Sequence, residues 1–266
     1  MAITTLDGLI AAPKQSVVIS KTTALTTAAL PKNAGTMFHI AGEPGAGTLA
    51  IGNTTTGVVP TDAVAGFPVI NAFGGSATGY LVGLEASCSV ASTLVLYDRL
   101  WHGGAFSFAT TYPITSPSWS SRVPGGTDYT NTELWAEQVT AGTGIQNIAV
   151  TYANHAGTTG KLTGTVAAPA AMIVGRMFQL PLAAGDSGIS AISNVVGSVA
   201  TAGTYNIVVM RRLATVRIPV ANGAVRLGFD VLGMPQVFAD SALCLAVLPD
   251  STSSGFPYMR LDIANG

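Results

Sequence analysis

From Phe67 to the end, this chain is a succession of short apolar runs bounded by Gly, Pro, Ser, Thr and Asn, and no long segment keeps helical spacing. Short apolar or alternating runs between turn residues read as strands. The stretch Gly79–Trp101 is central. Tyr80 to Ala86 alternates at period two, Ser87 to Ser92 are small, and Thr93 to Trp101 is a longer apolar run ending in charge and aromatics. This predicts an antiparallel pair in the middle of a sheet. Asp98 and Arg99 are adjacent, so on a strand they point to opposite faces and are not partners; one of them is expected to face inward or into an interface.

Glu133 to Val139 also alternates, placing Glu133, Trp135, Glu137 and Val139 on one face. With the turn Ala141–Gly144 and the return run Ile145–Tyr152 it predicts a hairpin. Tyr205–Met210 is the strongest strand by propensity. Many short strands, glycine-rich turns and long crossings predict an all-β chain, a jelly-roll-like two-sheet β-sandwich over residues 66–266. Residues 1–65 differ. Leu6, Leu9 and Ile10 with Asp7 predict a short amphipathic helix stopped before Pro13, and the residues beyond it include few large side chains to bury. An extended N-terminal arm with one or two added strands is expected there.

Charge narrows the function. Only 9% of residues are charged, against roughly 25% in an ordinary soluble domain. Spread over the surface of a compact monomer of this mass, each charge serves roughly 430 Å². Neighbours in an assembly that cover much of the surface explain this best. A membrane protein is disfavoured because no run reaches about 18 uninterrupted apolar residues; Val166 to Leu182 is broken by Pro169, Arg176, Gln179 and Pro181. A net charge of −1 argues against a nucleic-acid partner. The start has no secretory pattern, and Cys88 and Cys244, in apolar runs, read as buried free thiols of a protein made and assembled in cytoplasm.

Sites of chemistry are sparse. Gly42 to Gly47 lacks the Gly-Lys-Ser/Thr ending of a phosphate loop and reads as a plain loop. His39, His102 and His155 show no metal spacing. Glu133 and Glu137, roughly 13 Å apart along a strand, exceed the about 5–9.5 Å of a glycosidase pair; pairing of either with Glu85 or Asp98 across strands stays open. No Gly-Xaa-Ser-Xaa-Gly elbow occurs. The chain therefore reads as a non-enzyme, with no cofactor and no metal. Arg211, Arg212, Arg217 and Arg226 gather within sixteen residues and read as subunit ion pairs. Trp119, in the Pro- and Ser-rich segment Gly103–Thr130, reads as an interface anchor, whereas tryptophans such as Trp101 and Trp135 belong to a core by default.

Two stretches carry a resemblance. Thr4-Thr5-Leu6-Asp7-Gly8-Leu9-Ile10-Ala11-Ala12 and Leu94-Val95-Leu96-Tyr97-Asp98-Arg99-Leu100-Trp101-His102 resemble tailed-bacteriophage accessory virion proteins of the capsid cement or decoration type. The resemblance implies a β-rich, often trimeric protein that clamps major capsid proteins on the outer surface of the head. The expectations are a homotrimer, the major capsid protein as partner, and an oligomer or capsid interface using Leu6, Ile10, Asp98, Arg99, Trp101, Trp119, Arg211, Arg212 and Arg217. A tail- or baseplate-associated module binding host glycans, with Trp119 and Tyr129 stacking on sugar rings, is the alternative.

Overall fold

The computed structural model describes residues 3–20, 34–37, 52–74, 78–144, 146–168, 176–197, 202–251 and 253–266. Helix α1 (Leu6–Ala11) is followed by strands β1 (Lys14–Ser20), β2 (Ala34–Met37), β3 (Gly79–Cys88), β4 (Ser92–Ser107) and β5 (Tyr112–Pro113). Two short 3-10 turns, Ser120–Arg122 and Pro124–Gly126, precede β6 (Thr132–Thr140), β7 (Gln146–Asn154), β8 (Lys161–Leu162), β9 (Val166–Ala168), β10 (Arg176–Leu180) and β11 (Ile189–Gly197). Then come β12 (Thr204–Ile218), β13 (Ala224–Gly228), the helical turn α2 (Phe229–Leu232), β14 (Gln236–Val237), β15 (Leu243–Pro249) and β16 (Pro257–Asn265).

The chain is all-β, and its sheets stack face to face as a sandwich does. The middle layer closes on itself in the order β10-β2-β15-β4-β12-β6, and a sheet covers each of its two flanks, so the layers number more than the two of the predicted sandwich. One flank is covered by a sheet ordered β1-β16-β3-β13, with β14 also on β3; the other is covered by β5-β11-β7-β8, with β9 on β7. Strands β4 and β12 are the axis. They run antiparallel from Ser92 opposite Ile218 to Ser107 opposite Thr204. Both are buried on their two faces along most of their length, which explains their nearly continuous apolar sequences.

Among the described residues, three cores result from this layering. Leu94 and Leu96 of β4 face outward against Leu81, Leu84 and Leu261 of the first flanking sheet. Leu100, Trp101 and Phe106, further along β4, face outward against Ile148, Val150 and Ile192 of the second. Inside the barrel lie Val95, Tyr97, Trp135, Met177, Val208, Met210 and Cys244, with Phe67 packed among them.

Both predicted hairpins need correction. β3 does not pair with β4: its partners are β16, β13 and β14, while β4 pairs with β12 and β15. The small residues between them carry the chain from one layer to the next, about 10 Å away, so the two arms stack through side chains rather than through backbone hydrogen bonds. β6 and β7 repeat this, β6 bonding to β10 and β12 in the barrel and β7 to β11, β8 and β9 outside it.

The N-terminal segment is tied into the layers. β1 pairs with β16 from Lys14 opposite Ala264 to Ser20 opposite Tyr258, and Val17 and Ile19 are buried under it. Thr5 caps α1 by accepting from the Gly8 amide at 3.0 Å. The Lys14 ammonium closes its other end, donating to the carbonyls of Leu9, Ile10 and Ala12 at 2.9–3.1 Å. The loop at 42–47 and His39 lie outside the described residues.

Candidate functional site

A bulge near the centre of β4 governs where its polar residues go. Trp101 is opposite Val209 and Arg99 opposite Met210, so Leu100 is the extra residue. A bulge shifts the alternation of faces by one. Arg99 and His102 therefore share the barrel interior, while Asp98, Leu100 and Trp101 all look outward.

On the outer side, at the waist between the two flanking cores, Asp98 is fully buried. Its carboxylate accepts from Nη2 and, at 3.4 Å, Nε of Arg122, accepts from the Ser241 hydroxyl at 2.8 Å, and lies 3.6 Å from Arg211. Arg122 also donates to the Pro60 carbonyl at 2.9 Å. Arg211 donates to the Gln236 carbonyl at 2.7 Å and sits 5.4 Å from the centre of the Phe238 ring. Burial pulls the Arg211 guanidinium below its ordinary range, against the nearby Asp98 charge.

Inside the barrel, Arg99 Nη1 lies 2.7 Å from His102 Nδ1 and 3.8 Å from Glu137, and Asn206 donates to Glu137 at 3.3 Å. A guanidinium cannot accept, so His102 Nδ1 is the acceptor and the neutral ring carries its proton on Nε2. Burial, and then the Arg99 charge, hold His102 well below its usual pKa, opposed by a hydrogen bond with Asn206. Burial raises the Glu137 carboxyl, opposed by Arg99 and Asn206. All four side chains are at 0% exposure. A group sealed inside a packed barrel organises the interior.

The third polar group is open to solvent. Glu133, at the barrel rim, accepts from the Tyr97 hydroxyl at 2.8 Å and the Trp135 indole at 2.9 Å, and pairs with Arg212. A cleft of about 370 Å³ opens above it, lined by Asn131, Glu133, Arg212, Thr215, Leu227 and Val231, among others. Glu133 and Glu137 do lie on one face as expected. Neither meets Asp98, which is outward, nor Glu85, which is exposed on β3 in a flanking sheet. Among the described residues, no group of three His, Cys, Asp or Glu could hold a metal, and no helix is long and apolar enough to cross a membrane.

The residues predicted to form an interface divide sharply. Leu6 and Ile10 are 58% and 68% exposed on α1. Asp98, Arg99, Trp101, Trp119 and Arg211 are instead buried within the chain, so they offer no surface to a partner. Trp119 leads into the first 3-10 turn and fills the core with Ile114 and Val123, closing its edge from the long segment that seemed free to face outward in sequence. The arginine cluster is dispersed: Arg211 reaches Asp98, Arg212 reaches Glu133, and Arg217 reaches Asp250, all within one chain. Sequence reasoning missed Arg122, whose partner is 24 residues away, and the exposed Phe229 and Val231 of α2. Their only local signal is Gly233, left-handed at φ 68°, which ends the helical turn.

No family model and no curated protein matches this chain. Among solved structures, it is similar to the structure of infectious bursal disease virus, Gx strain, at 12% identity over 96% of this chain and 80% of that one, with a TM-score of 0.17. The VP2 subviral particle of the same virus gives 11% identity, 96% and 80% coverage, and a TM-score of 0.16. Likenesses this weak carry no argument.

Proposed function

We propose that this protein is a structural component of a virus particle, a cement or decoration protein that binds and bridges major capsid protein subunits on the outside of a phage head. The observation that supports this best is where its charge lies. Of only 25 charged residues, Asp98, Arg99, Arg122, Glu137, Arg176 and Arg211 are buried, which leaves the 10616 Å² surface still poorer in charge than the composition implied. Large apolar side chains stand exposed on it, including Ile10, Val69, Val220, Val231 and Phe256. Such a surface suits a protein that works covered by neighbours. As a homotrimer it acts by mass action: a ligand of the assembled lattice that ignores the loosened form stabilises the lattice, and several weak contacts per trimer add up through avidity. No catalysis and no cofactor enter this reading.

Quantitative mass spectrometry of purified virions tests it. Copies in simple proportion to the major capsid protein support a lattice-wide role, and absence from the particle overturns it. A handful of copies favours the second reading, a tail- or baseplate-associated module that binds host glycans. The cleft above Glu133 and Arg212 is what supports that alternative, since paired donors and acceptors suit sugar hydroxyls. Glycan binding that disappears in Arg212→Ala while the fold is retained is its test; Trp119, being buried, is not a useful probe.

A further inference from the structure

An open sheet ends in strands whose outward backbone groups lack a ladder partner, and proteins guard such edges with charge, proline, bulges or brevity. The other edges of the two flanking sheets follow that rule. β5, β8 and β14 are two residues long and β9 three; β5 carries Pro113, β8 carries Lys161, and β13 presents Arg226 in a strand of five. β1 does not follow it. It runs for seven residues, Lys14–Ser20, at the end of its sheet, and its ladder with β16 has no bulge and no proline. Its one charge does not guard it, because the Lys14 ammonium is held at the carbonyls of Leu9, Ile10 and Ala12.

The register shows which groups are open. The Asn265 amide donates to the Pro13 carbonyl at 2.9 Å, which makes theirs a hydrogen-bonded pair, and such pairs alternate along an antiparallel ladder. Gln15, Val17 and Ile19 therefore bond to β16, while the amides and carbonyls of Lys14, Ser16, Val18 and Ser20 point away from it. Among the described residues these outward groups have no backbone partner. Val17 and Ile19 are buried beneath the sheet, whereas Val18, on its outer face, is 41% exposed.

We infer that β1 pairs with β1 of a second copy across a two-fold axis at Val17, joining two flanking sheets into one. Backbone groups in ladder register call for an extended strand, and this strand is complementary to itself. With the axis at Val17, Lys14 meets Ser20 of the second copy, Ser16 meets Val18, Gln15 meets Ile19, and both strands are used from end to end. Every outward amide and carbonyl then finds a partner, and no like charges stand opposite each other. A slip of the partner by one residue sets outward groups against inward ones and is disfavoured. The two Val18 side chains become diagonal neighbours on the outer face and cover one another. A contact this narrow is weak and depends on concentration, which an assembly supplies. The inference goes beyond the bridging reading, since it joins copies of this chain to each other, and it is tested without capsids, so either can fail alone.

Two full-length variants at exposed positions, Ser16→Cys and Val18→Cys, test the register. Opposed residues of a hydrogen-bonded antiparallel pair have Cα atoms about 5.5 Å apart, within reach of a disulfide. Mixed under mild oxidation, the two variants are expected to give a disulfide-linked dimer on a non-reducing gel that neither gives alone. Val18→Pro removes an outward amide and leaves the ladder with β16 complete, so its thermal melt should match wild type while self-association in sedimentation weakens at least about tenfold. A mixture that does not cross-link, or Ser16→Cys alone cross-linking as readily as the mixture, overturns the proposal. So does self-association that Val18→Pro leaves unchanged. Slow amide exchange at Ser16 and Val18 in a protein that stays monomeric also overturns it, by placing a segment of the same chain on the edge.

Discussion

Asp98 shows how a single residue can be read correctly and still be placed wrongly. Its neighbour Arg99 does point the other way, as strand geometry requires. Yet both are internal, each meeting partners that only the fold brings near. Removing one member of a buried charge cluster leaves its partners uncompensated, so Asp98→Ala, which strands Arg122 and Arg211, is expected to cost about 3–5 kcal/mol in chemical denaturation. Arg217→Ala should leave the unfolding midpoint where it is, because that pair with Asp250 is solvent-exposed. The thiols give a second check at this scale. Cys88 and Cys244 are free and buried, and burial pushes the Cys244 thiol up to about 12. Neither should be alkylated by iodoacetamide in the native protein at neutral pH, and both should react once it is unfolded.

The N-terminal arm behaves as two elements with different duties. Helix α1 contributes one buried side chain, Leu9, whereas β1 completes a sheet edge over Val17 and Ile19. Deleting residues 1–12 is therefore expected to preserve the β layers and to weaken attachment to capsids, read as lower occupancy on particles with an unchanged melt. Deleting residues 1–20 should also destabilise the fold by about 3–6 kcal/mol in a denaturant titration, since a buried Val or Ile is worth about 1.5–3 kcal/mol. Strand identity was largely legible in the sequence here. The alternation of Glu133 to Val139 and the apolar runs of β4 and β12 mark strands without help from the structure. Their pairing was not legible. A short connection of small residues permits either a hairpin or a step between layers, and which one forms depends on whether other strands occupy the hydrogen-bonding edges. For β3 and β4 those edges belong to strands about a hundred residues away or more.

At the scale of the molecule, the sealed barrel interior predicts how stability responds to acid. His102 protonates near 6.5 in the unfolded chain but well below that in the fold, so unfolding takes up a proton in mild acid. Its contribution is complete above 6.5 and is lost as pH falls through the depressed value. Glu137 is raised in the fold from 4.5, so its contribution runs the other way: complete below 4.5 and lost as pH rises through the raised value. Between neutral and mildly acid pH the urea midpoint of the wild type should therefore fall further, or rise less, than that of His102→Gln, which lacks the titrating ring. An identical slope in the variant would assign the acid sensitivity to other groups. By itself the sequence determined the all-β class, the position of the short N-terminal helix and the scarcity of charge, because these rest on local periodicity, a proline stop and composition. Tertiary structure alone decided that the middle layer closes into a barrel, that the bulge at Leu100 turns Arg99 and His102 to one face, and that Trp119 is core. It also put β1 at the outer edge of its sheet. Each of these depends on which distant strand occupies an edge, a choice made by packing across the whole chain and written in no single segment.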